Sequence, residues 1–216
     1  MLHAAPLPRD QIPPLQSPEG SKFLKGLLAD AFARTRAAHA LKTCAITRSV
    51  QYGRLRSNNS GRLAKASWHV RSSMHTAEPY ELFRDGLCVN HSRQEKEYIH
   101  ALNEASCLEE LRSSAAGVWH LKYKLTPPTS NRDFCELVIA VELPPHPEPF
   151  STAHEKDTLA QDDPFAPSRP PGPGQLRSFL VVSQPVLYRR IRHYVRAYYA
   201  SVEAVSETPA HGSRWV

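Results

Sequence analysis

His91 and Glu95 stand four residues apart, with Tyr98 three further on. On a helix the imidazole and the carboxylate would share a face, the spacing of a metal pair or an acid/base couple. A metal centre needs at least a third ligand, and no other His, Cys, Asp or Glu is placed by spacing to supply one. In a chain with 11 histidines the pair reads as a coincidence, and His75 takes the same discount. Cys44, Cys88, Cys107 and Cys135 lie far apart with no C-x-x-C pair, which removes zinc-knuckle and redox-motif chemistry and leaves reduced thiols. The sequence has no Gly-x-Ser-x-Gly elbow, Cys–His signature, phosphate loop or dinucleotide fingerprint. The expectation is a protein with no catalytic residues, no metal ligands and no cofactor.

What remains is apolar chemistry, and a hairpin positions it. From Val118 to Leu125 the side chains alternate, with Trp119, Leu121, Tyr123 and Leu125 on one face and His120, Lys122 and Lys124 on the other. Thr126, Pro127 and Pro128 stop the ladder, and Thr129, Ser130 and Asn131 favour a turn. A second strand then places Cys135, Leu137, Ile139, Val141 and Leu143 on one face and Phe134, Glu136, Val138, Ala140 and Glu142 on the other. Arg132 and Asp133 open it, either holding the turn by an ion pair or capping bonds, or offering Arg132 to a charged headgroup.

Around the hairpin, Ser17 as cap and Pro18 in the first turn begin a helix over 17–38, with Phe23, Leu24, Leu27, Leu28 and Ala31 as its apolar stripe. Strands are predicted over 43–50, 67–73 and 177–183, with a flexible loop over 52–65. A short helix opens at Glu78-Pro79, an amphipathic helix covers 92–105 and a strand edge 108–113. Over 187–206 the periodicity alone argues for a helix. Residues 1–16 are punctuated by proline and read as a disordered N-terminus. The Pro-rich stretch 144–176 has few apolar side chains and reads as a disordered insert.

The chain carries 27 Lys and Arg against 21 Asp and Glu, a net charge of +6. That balance favours anionic surfaces, acidic lipid headgroups or nucleic acid, without choosing between them. Arg189, Arg190, Arg192, His193 and Arg196 form the densest basic run, read as a solvated face because no nucleic-acid module surrounds it. No segment approaches the about 20 apolar residues of a membrane span and no signal peptide is visible, so a soluble, cytoplasmic protein without a transmembrane segment is expected.

The hairpin with its Pro turn and Arg132-Asp133-Phe134 resembles the centre of StAR-related lipid-transfer (START) domains. Further pieces resemble a START-like family of fungal proteins: Trp68-x-x-Arg71-x-Ser73-x-His75, Tyr80-Glu81-x-Phe83 with Gly86-Leu87, His91 with Glu95 and Tyr98, Phe179-x-Val181-x-Ser183-x-Pro185 and Tyr198-x-x-Ser201-Val202-Glu203. The resemblance implies an α+β helix-grip fold, a curved antiparallel sheet packed on helices, in a domain over 17–216. It makes 194–206 a strand. It also implies a further strand and a long C-terminal helix beyond Val216, so the domain reads as truncated at its C-terminus.

Such a fold holds a cavity between sheet and helix, to which Trp68, Trp119, Tyr123, Leu125 and Phe179 would give apolar walls and Arg71 and Arg132 headgroup contacts. The implied function is non-catalytic binding of a lipid, sterol or other hydrophobic ligand, with peripheral contact to an anionic membrane. A protein-interaction scaffold using the basic run and the Pro-rich loop is the alternative, in which the same aromatics fill a solid core. An enzyme on the same architecture is a more distant one.

Overall fold

The helix at the start of the chain shows why the N-terminal segment is ordered. The structure, a computed structural model, describes the backbone of residues 5–39, 43–47, 50–56, 68–88, 91–113, 115–189, 191–208 and 212–215, and side chains within 5–38, 76–88, 91–113, 115–189 and 191–208. Helix α1 (Pro18–His39) begins as its cap predicts, the Ser17 hydroxyl accepting the Gly20 N–H at 3.0 Å. Leu24, Leu27, Leu28, Ala31 and Phe32 are all buried along one stripe. Gly20 lies against the preceding chain so closely that a Cβ there would stand 2.0 Å from the Pro14 carbonyl oxygen. The chain before α1 uses that gap. Ile12 and Leu15 join the core, and Leu7 bridges Val186, its N–H donating to the Pro185 carbonyl at 2.8 Å. The expectation of disorder over 1–16 is therefore corrected from residue 5 onward: two apolar anchors supply burial that the proline-rich composition concealed.

Among the described residues ten strands form one sheet: β1 (Thr43–Thr47), β2 (Val50–Arg56), β3 (Trp68–Thr76), β4 (Leu102–Arg112), β5 (Ala116–Tyr123), β6 (Arg132–His146), β7 (Leu176–Pro185), β8 (Val195–Arg196), β9 (Ser201–Thr208) and β10 (Gly212–Trp215). Their order is β1-β2-β3-β10-β9-β7-β6-β5-β4, antiparallel throughout, with β8 added in parallel to β6. The hairpin is β5–β6, in register from Ala116 opposite Ile139 to Tyr123 opposite Arg132. Side chains at paired positions share a face, so the two faces follow from the register. Val118 and Leu137, Ile139 and Val182, and Val141, Leu180 and Ala204 meet α1 and form the larger core. Trp119, Val138, Ala140, Phe179, Val181 and Val205 lie on the opposite, concave face.

Three expectations change. Residues 52–56, expected in a loop, extend β2, whose pairing with β3 outweighs their Arg and Gly content; 57–67 lie outside the described residues. The helix expected over 92–105 is α3 (His91–Tyr98), and from Leu102 the chain pairs with β5 instead. The Pro-rich stretch 144–176 is ordered in place of the expected disorder. There β6 continues through Pro144 and Pro145 to His146, and α4 (Thr152–Ala160), capped by the Ser151 hydroxyl, buries His154 and Thr158. Its few apolar residues suffice because Phe150, Leu159 and Phe165 all dock on the α1 core. The strand adopted over 194–206 holds at 201–206 against the helical periodicity, since β9 pairs with β7 and Leu187, Val195 and Tyr198 of the apparent helical stripe are exposed.

Candidate functional site

The concave face is crossed by α2 (Tyr80–Phe83), a π turn (Arg84–Cys88) and α3. Tyr80 and Cys88 are buried against Val138, Ala140, Phe179, Val181 and Val205, with Phe83, Leu87 and Trp119 packed around them. The Tyr80 and Phe179 rings lie 5.8 Å apart and tilted, and the Arg177 guanidinium sits 4.7 Å over the outer side of Tyr80. Between α3 and strands β4 to β6 a cavity of about 200 Å³ is lined by His91, Trp119, Val138 and Ala140 among others.

Of the residues singled out from sequence, Trp119 and Phe179 meet in this apolar cluster. Tyr123, at the end of β5, makes an edge contact with Phe134 at 5.2 Å, and Phe134 makes another with Tyr199 at 5.2 Å. Arg132 is half-buried opposite Tyr123. Leu125 lies past the strand end, where its N–H donates to the Asn131 side-chain oxygen at 3.1 Å, and it does not join the cluster. Trp68 and Arg71 are on β3, paired with Arg56 and Gly53 of β2, and their side chains lie outside the described residues. Asp133 does not pair with its neighbour Arg132. It accepts from Arg196 Nη2 at 2.6 Å and Nε at 3.0 Å and contacts His120 Nε2 at 3.0 Å, a triad buried away from the concave face. The basic run thus loses Arg196 to the interior, while Arg189 and Arg192 stay exposed.

Sequence reasoning missed the polar half of the concave face. His91 and Glu95 share the face of α3 that turns inward, and Glu203 of β9 meets them there. His91 Nε2 lies 3.7 Å from a carboxylate oxygen of each. Glu136 joins from β6, fully enclosed, and among the described residues no donor lies at bonding distance from either carboxylate oxygen. Burial dominates all four groups. It holds the Glu95 and Glu136 carboxyls above the usual range, pushes Glu203 up to about 7 and lowers His91, whose neighbours Glu95 and the Leu87 carbonyl oppose the fall. Beyond burial, the Glu95 charge raises Glu136 further, while the nearby Tyr199 hydroxyl partly offsets the rise. The i,i+4 pair was visible in the sequence. Its third arm comes from a distant strand, and Glu136 was marked only as one polar member of an alternating face.

Among solved structures the chain is similar to human StAR-related lipid transfer protein 5, with a TM-score of 0.59 at 12% identity over 90% of this chain and 78% of that one. It is also similar to human STARD10, with a TM-score of 0.56 at 13% identity over 85% of this chain and 63% of that one. At these identities the likeness establishes the fold, the START-like helix-grip arrangement. A search of curated proteins gives no match. Residues 68–215 match the family described as protein of unknown function (DUF3074), and the chain belongs to that family.

Proposed function

We propose that this protein binds a lipid, sterol or other hydrophobic ligand between the concave face of its sheet and the α2–α3 segment, without catalysing a reaction, in the cytoplasm. The observation that carries the reading is the apolar row Trp119, Val138, Ala140, Val181, Phe179 and Val205 on a face covered by a short helical segment. The structural relatives named for lipid transfer support it through their common fold. Transferring a sixteen-carbon chain costs on the order of 12 kcal/mol if it is left in water, at ~0.8 kcal/mol per methylene, so a carrier must enclose it.

The cavity of about 200 Å³ is smaller than the roughly 300–1,000 Å³ of ligand pockets. Binding therefore requires the segment from Tyr80 to Tyr98 to lift, and the ligand to replace its contacts with Phe179 and Trp119. Tyr123 and Leu125 extend the apolar wall toward the hairpin end, and Arg132 stands there for a headgroup; Trp68 and Arg71, on β3, remain candidates for the same ligand. The alternative, a scaffold acting through the basic run and the Pro-rich loop, is weakened because Arg196 is tied to Asp133 and the loop is packed on α1.

Native mass spectrometry of the purified protein should find a co-purifying lipid, and a fluorescent fatty-acyl probe should be taken up. Ala140→Trp, which fills the cavity, should abolish uptake without loss of fold. A ligand-free protein that takes up no probe, or equal uptake by the Ala140→Trp variant, would overturn the assignment.

A further inference from the structure

An imidazole and two carboxyl groups converge on the concave face. The Nδ1–H of His91 donates to the Leu87 carbonyl at 2.7 Å, which fixes the neutral ring with its Nε2 lone pair pointing away from α3. That lone pair faces a carboxylate oxygen of Glu95 and one of Glu203, each 3.7 Å away. All three ligand atoms lie within 4.8 Å of one another, and the His91 and Glu95 side chains are 4% and 9% exposed. We infer that His91, Glu95 and Glu203 form a binding site for a divalent transition-metal ion, with Zn²⁺ its best fit.

The two separations from His91 favour a small tetrahedral ion. Nitrogen and oxygen ligands about 2.1 Å from a tetrahedral Zn²⁺ lie roughly 3.4 Å apart, within a few tenths of the 3.7 Å separations here. Octahedral ligands at the same radius would lie about 3.0 Å apart, and Ca²⁺ prefers six or more oxygens, so the imidazole disfavours it. The bond from His91 Nδ1 to the Leu87 carbonyl is the supporting contact that orients a metal-bound histidine.

Charge points the same way. A divalent cation would hold both carboxyls in their charged form and offset that charge where His91 and Glu95 are buried and Glu203 is partly so. Glu136 adjoins the cluster from β6. It is 1% exposed, and among the described residues neither of its oxygens has a donor within hydrogen-bond distance, although the Tyr199 hydroxyl favours its charged form. A buried carboxyl so placed can meet a metal-bound water. The site belongs to the closed arrangement of α3 on the sheet, because lifting α3 would part His91 and Glu95 from Glu203, and its test on the ligand-free protein stands apart from the lipid reading.

The test is calorimetric titration of Zn²⁺ into the full chain after chelation, with visible absorption of the Co²⁺ derivative as a readout of geometry. One equivalent should bind, raise the melting temperature, and give the intense bands of a four-coordinate site. Glu203→Gln keeps the shape while removing a buried charge, so the metal-free variant should melt at or above the wild type. It should nonetheless bind Zn²⁺ more weakly by at least the roughly 10–100-fold that loss of even a supporting contact costs. Exposed Glu97, on the outer side of α3, gives the control Glu97→Gln, which should bind as the wild type does. Absence of Zn²⁺ uptake by folded protein, six-coordinate Co²⁺ spectra, or undiminished binding by Glu203→Gln would each overturn the assignment.

Discussion

His154 Nδ1 accepts the Phe150 backbone N–H at 3.0 Å while its Nε2–H donates to the Pro144 carbonyl at 2.8 Å, a pairing only the neutral imidazole can make. Burial lowers its pKa to about 4, against the opposing pull of the Pro144 carbonyl. In the unfolded chain the group titrates near ~6.5. Between those values the unfolded state binds more protons, so the stabilisation is complete above ~6.5 and is lost as pH falls toward about 4, by up to about 3 kcal/mol. Urea melts at successive pH values should show a falling midpoint across that window, and His154→Gln should flatten it; an unchanged slope in the variant sinks the assignment. The buried triad makes a second prediction. Asp133→Ala strands Arg196 and should cost about 3–5 kcal/mol, while Asp133→Ala combined with Arg196→Met should recover much of that, because removing both charges leaves neither unpaired. A double variant as unstable as the single one in chemical denaturation would contradict this. The face of Trp119 was legible in the sequence because period-two alternation fixes which side chains share a face, and Phe179 because it opens a continuous apolar run. Glu203 was not, because no local spacing encodes which strand the register brings opposite α3.

At the scale of elements, α1 and the strands β5, β6 and β7 were legible, whereas β2, the start of β4 and the proline-rich pieces were not. A 22-residue helix announces itself by its stripe and cap. A segment such as 152–160 has almost no amphipathic signal and folds because Phe150 and His154 reach Phe32, at ring separations of 6.3 and 5.5 Å. The N-terminal residues are ordered for a similar reason, and Gly20 is the place to test it. Ala is the better helix former by about 1 kcal/mol, so an exposed glycine in α1 should gain from replacement. Gly26, with open space around it, should show that gain as Gly26→Ala. Gly20→Ala should instead lose about 1–3 kcal/mol, because its new Cβ would overlap the Pro14 carbonyl and the chain that carries Ile12 and Leu15. Thermal melts compare the two variants, and hydrogen exchange should show lost protection over 5–16 only in Gly20→Ala. Equal stabilisation by both would mean that the N-terminal segment does not rest on α1.

For the whole molecule, the fold was legible as an order of weak motifs, each placed on the element the structure gives it, whereas the balance of polar and apolar groups on the concave face emerged only when β6, β9 and α3 were brought together. The carrier role proposed above requires a place to meet a membrane, and one segment of the surface has the composition for it. Leu187, Tyr188, Val195 and Tyr198 are exposed on the segment that also exposes Arg189 and Arg192. Arg196 holds that segment to the sheet, its guanidinium donating to the Tyr188 and Arg189 carbonyls as well as to Asp133. Basic residues near an anionic bilayer contribute about 1 kcal/mol each, so the double variant Arg189→Glu with Arg192→Glu should bind phosphatidylserine vesicles at least ~25-fold more weakly. Leu187→Asp should weaken binding further by removing an apolar contact with the headgroup layer. Sedimentation with vesicles of phosphatidylcholine alone should show little binding by any variant, and raised salt should erase the difference between wild type and the double variant, because a Debye length of ~3 Å at 1 M screens the charges. The probe uptake of all these variants should match the wild type, since none of the three residues lines the concave face. Vesicle binding that is indifferent to both salt and the arginine substitutions would remove this segment as the docking surface and leave the ligand site to be reached from another side.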